Sequence, residues 1–194
     1  MSVESVEVVT PTYTRHSFTV EEYRRMVEAG ILREDARVEL IGGEVVEMSP
    51  IGKRHAACVA RLTQVITLLL QRAFLVWAQN PIQLDGYSEP QPDVVVLRPR
   101  DDFYENEPPK PEDILLVIEV SDSTLAYDRK VKVPLYARAG IPEVWIVNLV
   151  EERVETFADL SGGVYQTTAA FSRGEEVQSR SLAALRLGVS EIFG

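Results

Sequence analysis

Ile114-Leu115-Leu116-Val117-Ile118-Glu119-Val120 is the stretch whose reading decides the fold. It is apolar throughout except for one carboxylate, and it is of strand length. A continuous run of this kind, without polar alternation, predicts a strand covered on both faces and therefore central in its sheet. The surrounding patterns fit a sheet of that kind. Residues 74–79, 82–84, 93–97 and 144–149 read as further strands, with 153–157 and 164–170 as peripheral ones. Between about Lys53 and Ala73, the residues Val59, Leu62, Ile66, Leu69 and Ala73 recur at helical spacing. Thr19-Val20-Glu21-Glu22 is a capping box, with Phe18 and Tyr23 set as a hydrophobic staple and Gly30 as the stop. Residues 37–41 and 44–48 flank Gly42-Gly43, the pattern of a hairpin with a two-residue turn. The basic amphipathic segment 128–139 contains Pro134, which predicts a helix that starts late or bends there. Together these predict an α/β fold with a central mixed sheet flanked by helices and a peripheral β-hairpin. Residues 1–17 are expected to form a tail and 18–194 a single domain.

The composition is that of a globular chain: 194 residues, 45% hydrophobic and 26% charged. No apolar run is long enough for a membrane span, and the first ten residues lack the basic and apolar regions of a signal peptide. One cysteine, Cys58, excludes an intramolecular disulfide framework, so a cytoplasmic location is expected. Two histidines cannot make a three-histidine zinc site. There is no phosphate-cradling GxxxxGK[ST] loop and no GxSxG elbow. His55 and Cys58 share a helix face, but nothing indicates a third group to complete a nucleophilic site. The net charge of −10 argues against a sequence-independent nucleic-acid binder and leaves room for an enzyme acting on nucleic acid.

Two acidic residues on strands carry the chemistry. Asp93 opens Pro92-Asp93-Val94-Val95-Val96, and Glu119 stands near the end of the central strand. A carboxylate in an apolar strand is costly unless it is paired or binds a cation. Glu119 therefore predicts either a salt bridge or a metal site, and Asp93 either a turn cap or a second ligand. Side by side, the two would offer the hard oxygens that suit Mg²⁺ or Mn²⁺.

The ordered set of segments then resembles a known family. It runs Arg37-Val38-Glu39-Leu40-Ile41-Gly42-Gly43-Glu44, Met48-Ser49-Pro50, His55, Pro92-Asp93-Val94, Ile118-Glu119-Val120-Ser121, Tyr127-Asp128-Arg129, Lys132 and 135–145. This is similar to the Uma-two branch of the PD-(D/E)XK nuclease superfamily, with its restriction-endonuclease-like fold. The resemblance implies a Mg²⁺- or Mn²⁺-dependent endonuclease hydrolysing DNA, with Asp93 and Glu119 as metal ligands and Lys132 as the catalytic lysine. Glu39 and His55 are implied as accessory residues, and Lys130 is the spare lysine. The superfamily's lysine two residues after the glutamate falls here on Ser121. Lysines and arginines at 53, 54, 129, 130 and 132 are expected to rim the site if the two helix starts converge. A non-catalytic binding or assembly module, or a phosphohydrolase on a small nucleotide, is the alternative. Pairing into a homodimer is the default expectation for such a chain.

Overall fold

The computed structural model describes residues 14–33 and 35–194. The first thirteen residues of the expected tail, 1–17, lie outside the described residues. Helix α1 (Val20–Glu28) opens with the expected capping box: Thr19 Oγ1 accepts from the Glu22 amide at 3.2 Å, and Glu22 Oε2 accepts from the Thr19 amide at 2.8 Å. The Tyr23 hydroxyl donates to the Val38 carbonyl and so fixes α1 on the hairpin of β1 (Val38–Ile41) and β2 (Glu44–Glu47). Gly42 and Gly43 turn the hairpin at φ +57° and +82°, and a Cβ on Gly43 would lie 2.6 Å from that of Ser17. Glycine is needed there twice over, for its backbone angle and for its lack of bulk.

Helix α2 (Lys53–Leu70) follows, then the strands β3 (Leu75–Ala78), β4 (Val94–Leu97), β5 (Ile114–Ser121), β6 (Val144–Asn148), β7 (Arg153–Ser161) and β8 (Val164–Ser172). They form one six-stranded sheet in the order β3-β4-β5-β6-β7-β8, parallel only between β5 and β6. The parallel pair requires a crossover, supplied by α3 (Leu125–Tyr127), a π-helical turn (Asp128–Lys132) and α4 (Val133–Ala139). A small pair of strands, β9 (Glu176–Gln178) and β10 (Arg186–Gly188), precedes α5 (Val189–Phe193).

Every residue of β5 is buried, as its unbroken apolar run predicts. One face of the sheet, with Val94, Val96, Leu116 and Ile118, packs on Val59, Leu62 and Ile66 of α2; the other, with Val95, Val117 and Ile146, packs on Tyr136 and Ala137 of α4. No described helix is long and apolar enough to cross a membrane.

Three local expectations are corrected. The buried stripe of α2 runs through Leu62, Ile66 and Leu70 at a spacing of four, which leaves Leu69 exposed beside it, and Ala73 is exposed because the helix stops at Leu70 and the chain turns away at Gln71. Residues 82–84 are not a strand, although Ile82 and Leu84 are buried: Ile82, Gln83 and Leu84 donate their amides to the carbonyls of Pro90, Pro109 and Ser88 respectively, in surrounding loops. β7 and β8 are peripheral as expected, with β8 the edge of the main sheet, but each runs nine residues and so is longer than its predicted range. As Pro134 predicts, the regular α-helix of 128–139 starts late, at Val133, with the proline in its first turn and the π-helical turn ahead of it. The Val133 amide reaches back five residues to Asp128, and this wider turn accommodates a proline that cannot donate to the preceding turn.

Candidate active site

The C-terminal end of β5, the start of β4, the N-terminus of α2 and the crossover helix meet at one end of the sheet. Glu119 leaves β5 toward the crossover helix. Its Oε1 accepts the Tyr136 hydroxyl at 2.5 Å and lies 3.2 Å from Lys132 Nζ. The same ammonium lies 3.2 Å from Glu39 Oε2 on β1, and all three charged side chains are buried. Glu39 also accepts the Gln91 amide, which ties the hairpin to the loop leading into β4.

Asp93, at the start of β4, uses Oδ2 twice: it accepts the Val120 amide at 2.9 Å and faces His55 Nε2 at 3.0 Å. Asp93 and Glu119 thus stand at the same end of adjacent strands, each already held by a partner. Ser121, where the superfamily pattern has lysine, donates its hydroxyl to Asp128 Oδ2 at 2.6 Å, and Thr124 Oγ1 does so at 2.7 Å. These two bonds anchor the π-turn on the strand end, and the far end of that turn delivers Lys132 to Glu119. The strand's serine thereby helps position an ammonium that comes from the helix.

All of these groups except Tyr136 and Ser121, which lie behind its wall, line a cleft of about 590 Å³ together with Arg37, Glu47, Asp122 and Tyr127. Burial pushes the Glu119 carboxyl up to about 8, with Lys132 pulling it back and Asp128 and Asp93 adding to the rise. Lys132 is opposed by burial, yet Glu119, Glu39 and Asp128 hold it above its ordinary value, so it stays an ammonium. Burial and then Glu119 raise the Tyr136 hydroxyl far above neutrality, which keeps it a donor. The hydrogen bond to Asp93 raises His55, against desolvation.

Four carboxylates, Glu39, Asp93, Glu119 and Asp128, gather around one ammonium and one imidazole. That imbalance and the hard oxygen donors fit a divalent cation. Among the described residues no group of three or more His, Cys, Asp or Glu side chains is placed to hold a metal unaided. A cation could therefore rest on Asp93 and Glu119 with water or substrate oxygens completing its shell, the arrangement Mg²⁺ favours.

Of the residues singled out in the sequence, Asp93, Glu119, Lys132, Glu39 and His55 come together. Lys130 is exposed and does not line the cleft. The expected basic rim does not form either. Arg129 pairs with Glu155, Arg54 turns to the Leu149 carbonyl and Glu152, and Lys53 lies off the cleft. Tyr136 and Asp128 were not singled out as site residues. Tyr136 had a readable signal, since it stands one α-helical turn after Lys132.

Cys58 is buried beside this site, and desolvation pushes its thiol up to about 12. A protonated, enclosed thiol is a poor nucleophile. Iodoacetamide at pH 8 is expected to leave Cys58 unlabelled in native protein and to label it fully in urea, as read by mass spectrometry. Rapid native labelling would reopen a His55–Cys58 chemistry.

A family model described as "Putative restriction endonuclease", Uma2, matches residues 20–190. The chain belongs to the Uma2 family. Among solved structures, the Uma2 chain is similar to a "putative nuclease belonging to DUF820" from Anabaena variabilis ATCC 29413, at 18% identity and a TM-score of 0.68. That match covers 91% of this chain and 97% of the other. At this identity the likeness speaks for the fold alone, which the two chains share over most of their length. Among curated proteins, none matches the Uma2 chain.

Proposed function

We propose that this Uma2 chain hydrolyses phosphodiester bonds in DNA with a divalent cation, Mg²⁺ or Mn²⁺. The observation that carries the reading is the pair of carboxylates on adjacent strands, Asp93 and Glu119, with the Lys132 ammonium 3.2 Å from Glu119 in an open cleft. Asp93 and Glu119 would hold the cation. When bound, it supplies Lewis acidity toward a phosphoryl oxygen and lowers the pKa of a coordinated water.

The protein's own groups have separate tasks. His55 orients the Asp93 carboxylate, and Tyr136 and Lys132 orient that of Glu119, so neither has to be ordered when substrate arrives. Lys132 is the cationic donor at the reacting centre, placed to offset charge that develops on the phosphoryl group. Glu39 holds the other side of that ammonium and keeps it aimed.

The acidic lining of the cleft favours a second reading, hydrolysis of a small nucleotide, because a duplex would bring many more phosphates against those carboxylates. One assay separates the two. Purified protein is incubated with Mg²⁺ or Mn²⁺ and with single-stranded, double-stranded and branched DNA, and in parallel with free nucleotides. Cleavage of DNA that stops in EDTA and returns with added metal is the expected result. Asp93→Asn is expected to lower the rate by roughly 10²–10³-fold or more while the protein stays folded. Turnover confined to free nucleotides would give the second reading the place of the first. No turnover of any substrate would leave a binding or assembly module on a nuclease scaffold.

A further inference from the structure

Among the described residues, two buried side-chain polar atoms have no hydrogen-bond partner: Tyr127 Oη and His55 Nδ1. Both residues line the cleft that holds Asp93, Glu119 and Lys132. Buried polar atoms are nearly always paired, so two unpaired ones on residues that line the same cavity point to partners that arrive with a ligand. His55 spends its other ring nitrogen on Asp93, and the Tyr127 side chain has no polar atom besides its hydroxyl.

The π-turn accounts for the position of Tyr127. It precedes Lys132 by five residues, and in an α-helix residues five apart lie about 140° apart around the axis. A turn closed by i→i+5 bonding brings such residues close to one line. Tyr127, Lys132 and Tyr136, spaced by five and then four, can therefore serve one site. The turn is itself pinned at Asp128 by Ser121 and Thr124, which makes the placement of Tyr127 a built feature of the fold.

We propose that Tyr127 Oη donates a hydrogen bond to a non-bridging oxygen of the substrate phosphate, which makes Tyr127 a substrate-binding residue of this cleft. The inference rests on the phosphodiesterase reading above and adds the group that holds the substrate's anion. The cleft is short of such groups. Lys132 is engaged by Glu39 and Glu119, and the Arg37 guanidinium donates to the Ser49 carbonyl. A neutral hydroxyl can hold phosphate among carboxylates without needing a counter-charge, and burial, with Glu39 next, keeps this one protonated by pushing it up to about 12.

Tyr127→Phe removes only the hydroxyl and is the test, with three readouts. The first is hydrolysis of DNA in Mn²⁺. The expected change is a KM roughly five- to tenfold higher with kcat within about threefold, as for a contact made equally in ground and transition states. The second is binding of thymidine 5′-monophosphate in Ca²⁺ by calorimetry, expected to weaken by the same factor while the thermal shift caused by Mn²⁺ alone is unchanged. The third is the melting temperature without ligand, expected to stay the same or rise, because the lost hydroxyl has no partner in the fold. A lowered melting temperature would assign the hydroxyl a structural role and overturn the proposal. So would wild-type KM together with wild-type nucleotide affinity in the variant, or a wild type that binds no nucleotide. If the wild type cleaves no DNA but binds the nucleotide, and Tyr127→Phe weakens that binding, the phosphate contact stands and the nuclease reading falls.

Discussion

Lys132→Ala is expected to destabilise the metal-free protein by roughly 3–5 kcal/mol and to abolish hydrolysis. The ammonium is buried between Glu39 and Glu119, 3.2 Å from an oxygen of each, with Asp128 also acting on it. Its removal leaves Glu39 and Glu119 in a poorly solvated site with only the neutral Gln91 amide and Tyr136 hydroxyl as donors to them. In a domain of this size the cost corresponds to a melting temperature lower by about 6–20 °C. Millimolar Mn²⁺ is expected to restore part of that loss, and to raise the melting temperature of the variant by more than that of wild type, because the cation replaces a missing positive charge. Thermal melts of both proteins with and without Mn²⁺ check the sign. A large loss that Mn²⁺ does not touch would show that the cluster is a structural ion pair and no cation site. A variant that melts like wild type would mean that the ion pairs contribute little. Lys130→Ala, at an exposed position off the cleft, is expected to change neither stability nor turnover.

Glu143→Leu is expected to cost a similar amount, about 3–5 kcal/mol, for a different reason. The buried Glu143 carboxylate accepts the Trp145 indole N–H at 2.7 Å, the Ser179 hydroxyl at 2.6 Å, and the Ser181 amide and hydroxyl at 2.9 and 2.8 Å. It therefore joins the start of β6 to the chain between β9 and β10. Leucine fills much of the volume but strands the indole N–H and the Ser181 amide. Urea unfolding should show a lower midpoint with the wild-type slope, and activity per folded molecule should be retained. Lost activity in a fully folded variant would contradict this purely structural role. The residue belongs to 135–145, one of the segments that carry the resemblance to the Uma2 pattern, yet its surroundings are those of a tie between elements, and it does not line the cleft.

Much of the fold was legible because its signals are local. The capping box at Thr19, the glycine turn at Gly42-Gly43 and the unbroken apolar run of β5 each express a rule acting over a few residues, and each appears where it was expected. The strands of the β7–β8 hairpin were placed but cut short, because their outer halves alternate with polar residues and extend beyond the part that packs on the core. The basic rim was misread for an equally physical reason. Arg54 and Arg129 found carbonyl and carboxylate partners elsewhere, and no local pattern reports which acid a long side chain will reach.

The sequence by itself determined the order of elements, the burial of β5 on both faces and the two strand carboxylates around which the candidate site is built. Tertiary structure alone decided the company they keep. Glu39, which alternation would set on the wet side of a hairpin, is buried because the hairpin lies against the loop before β4 and over the end of the sheet. Lys132 rather than Lys130 reaches Glu119, and Tyr127 joins it, because the helix takes a five-residue turn ahead of Pro134 where a 3.6-residue period would turn those side chains elsewhere. Periodicity reports which face of an element is covered. Which groups meet across elements depends on distances closed only when the sheet, the hairpin and the crossover helix pack together.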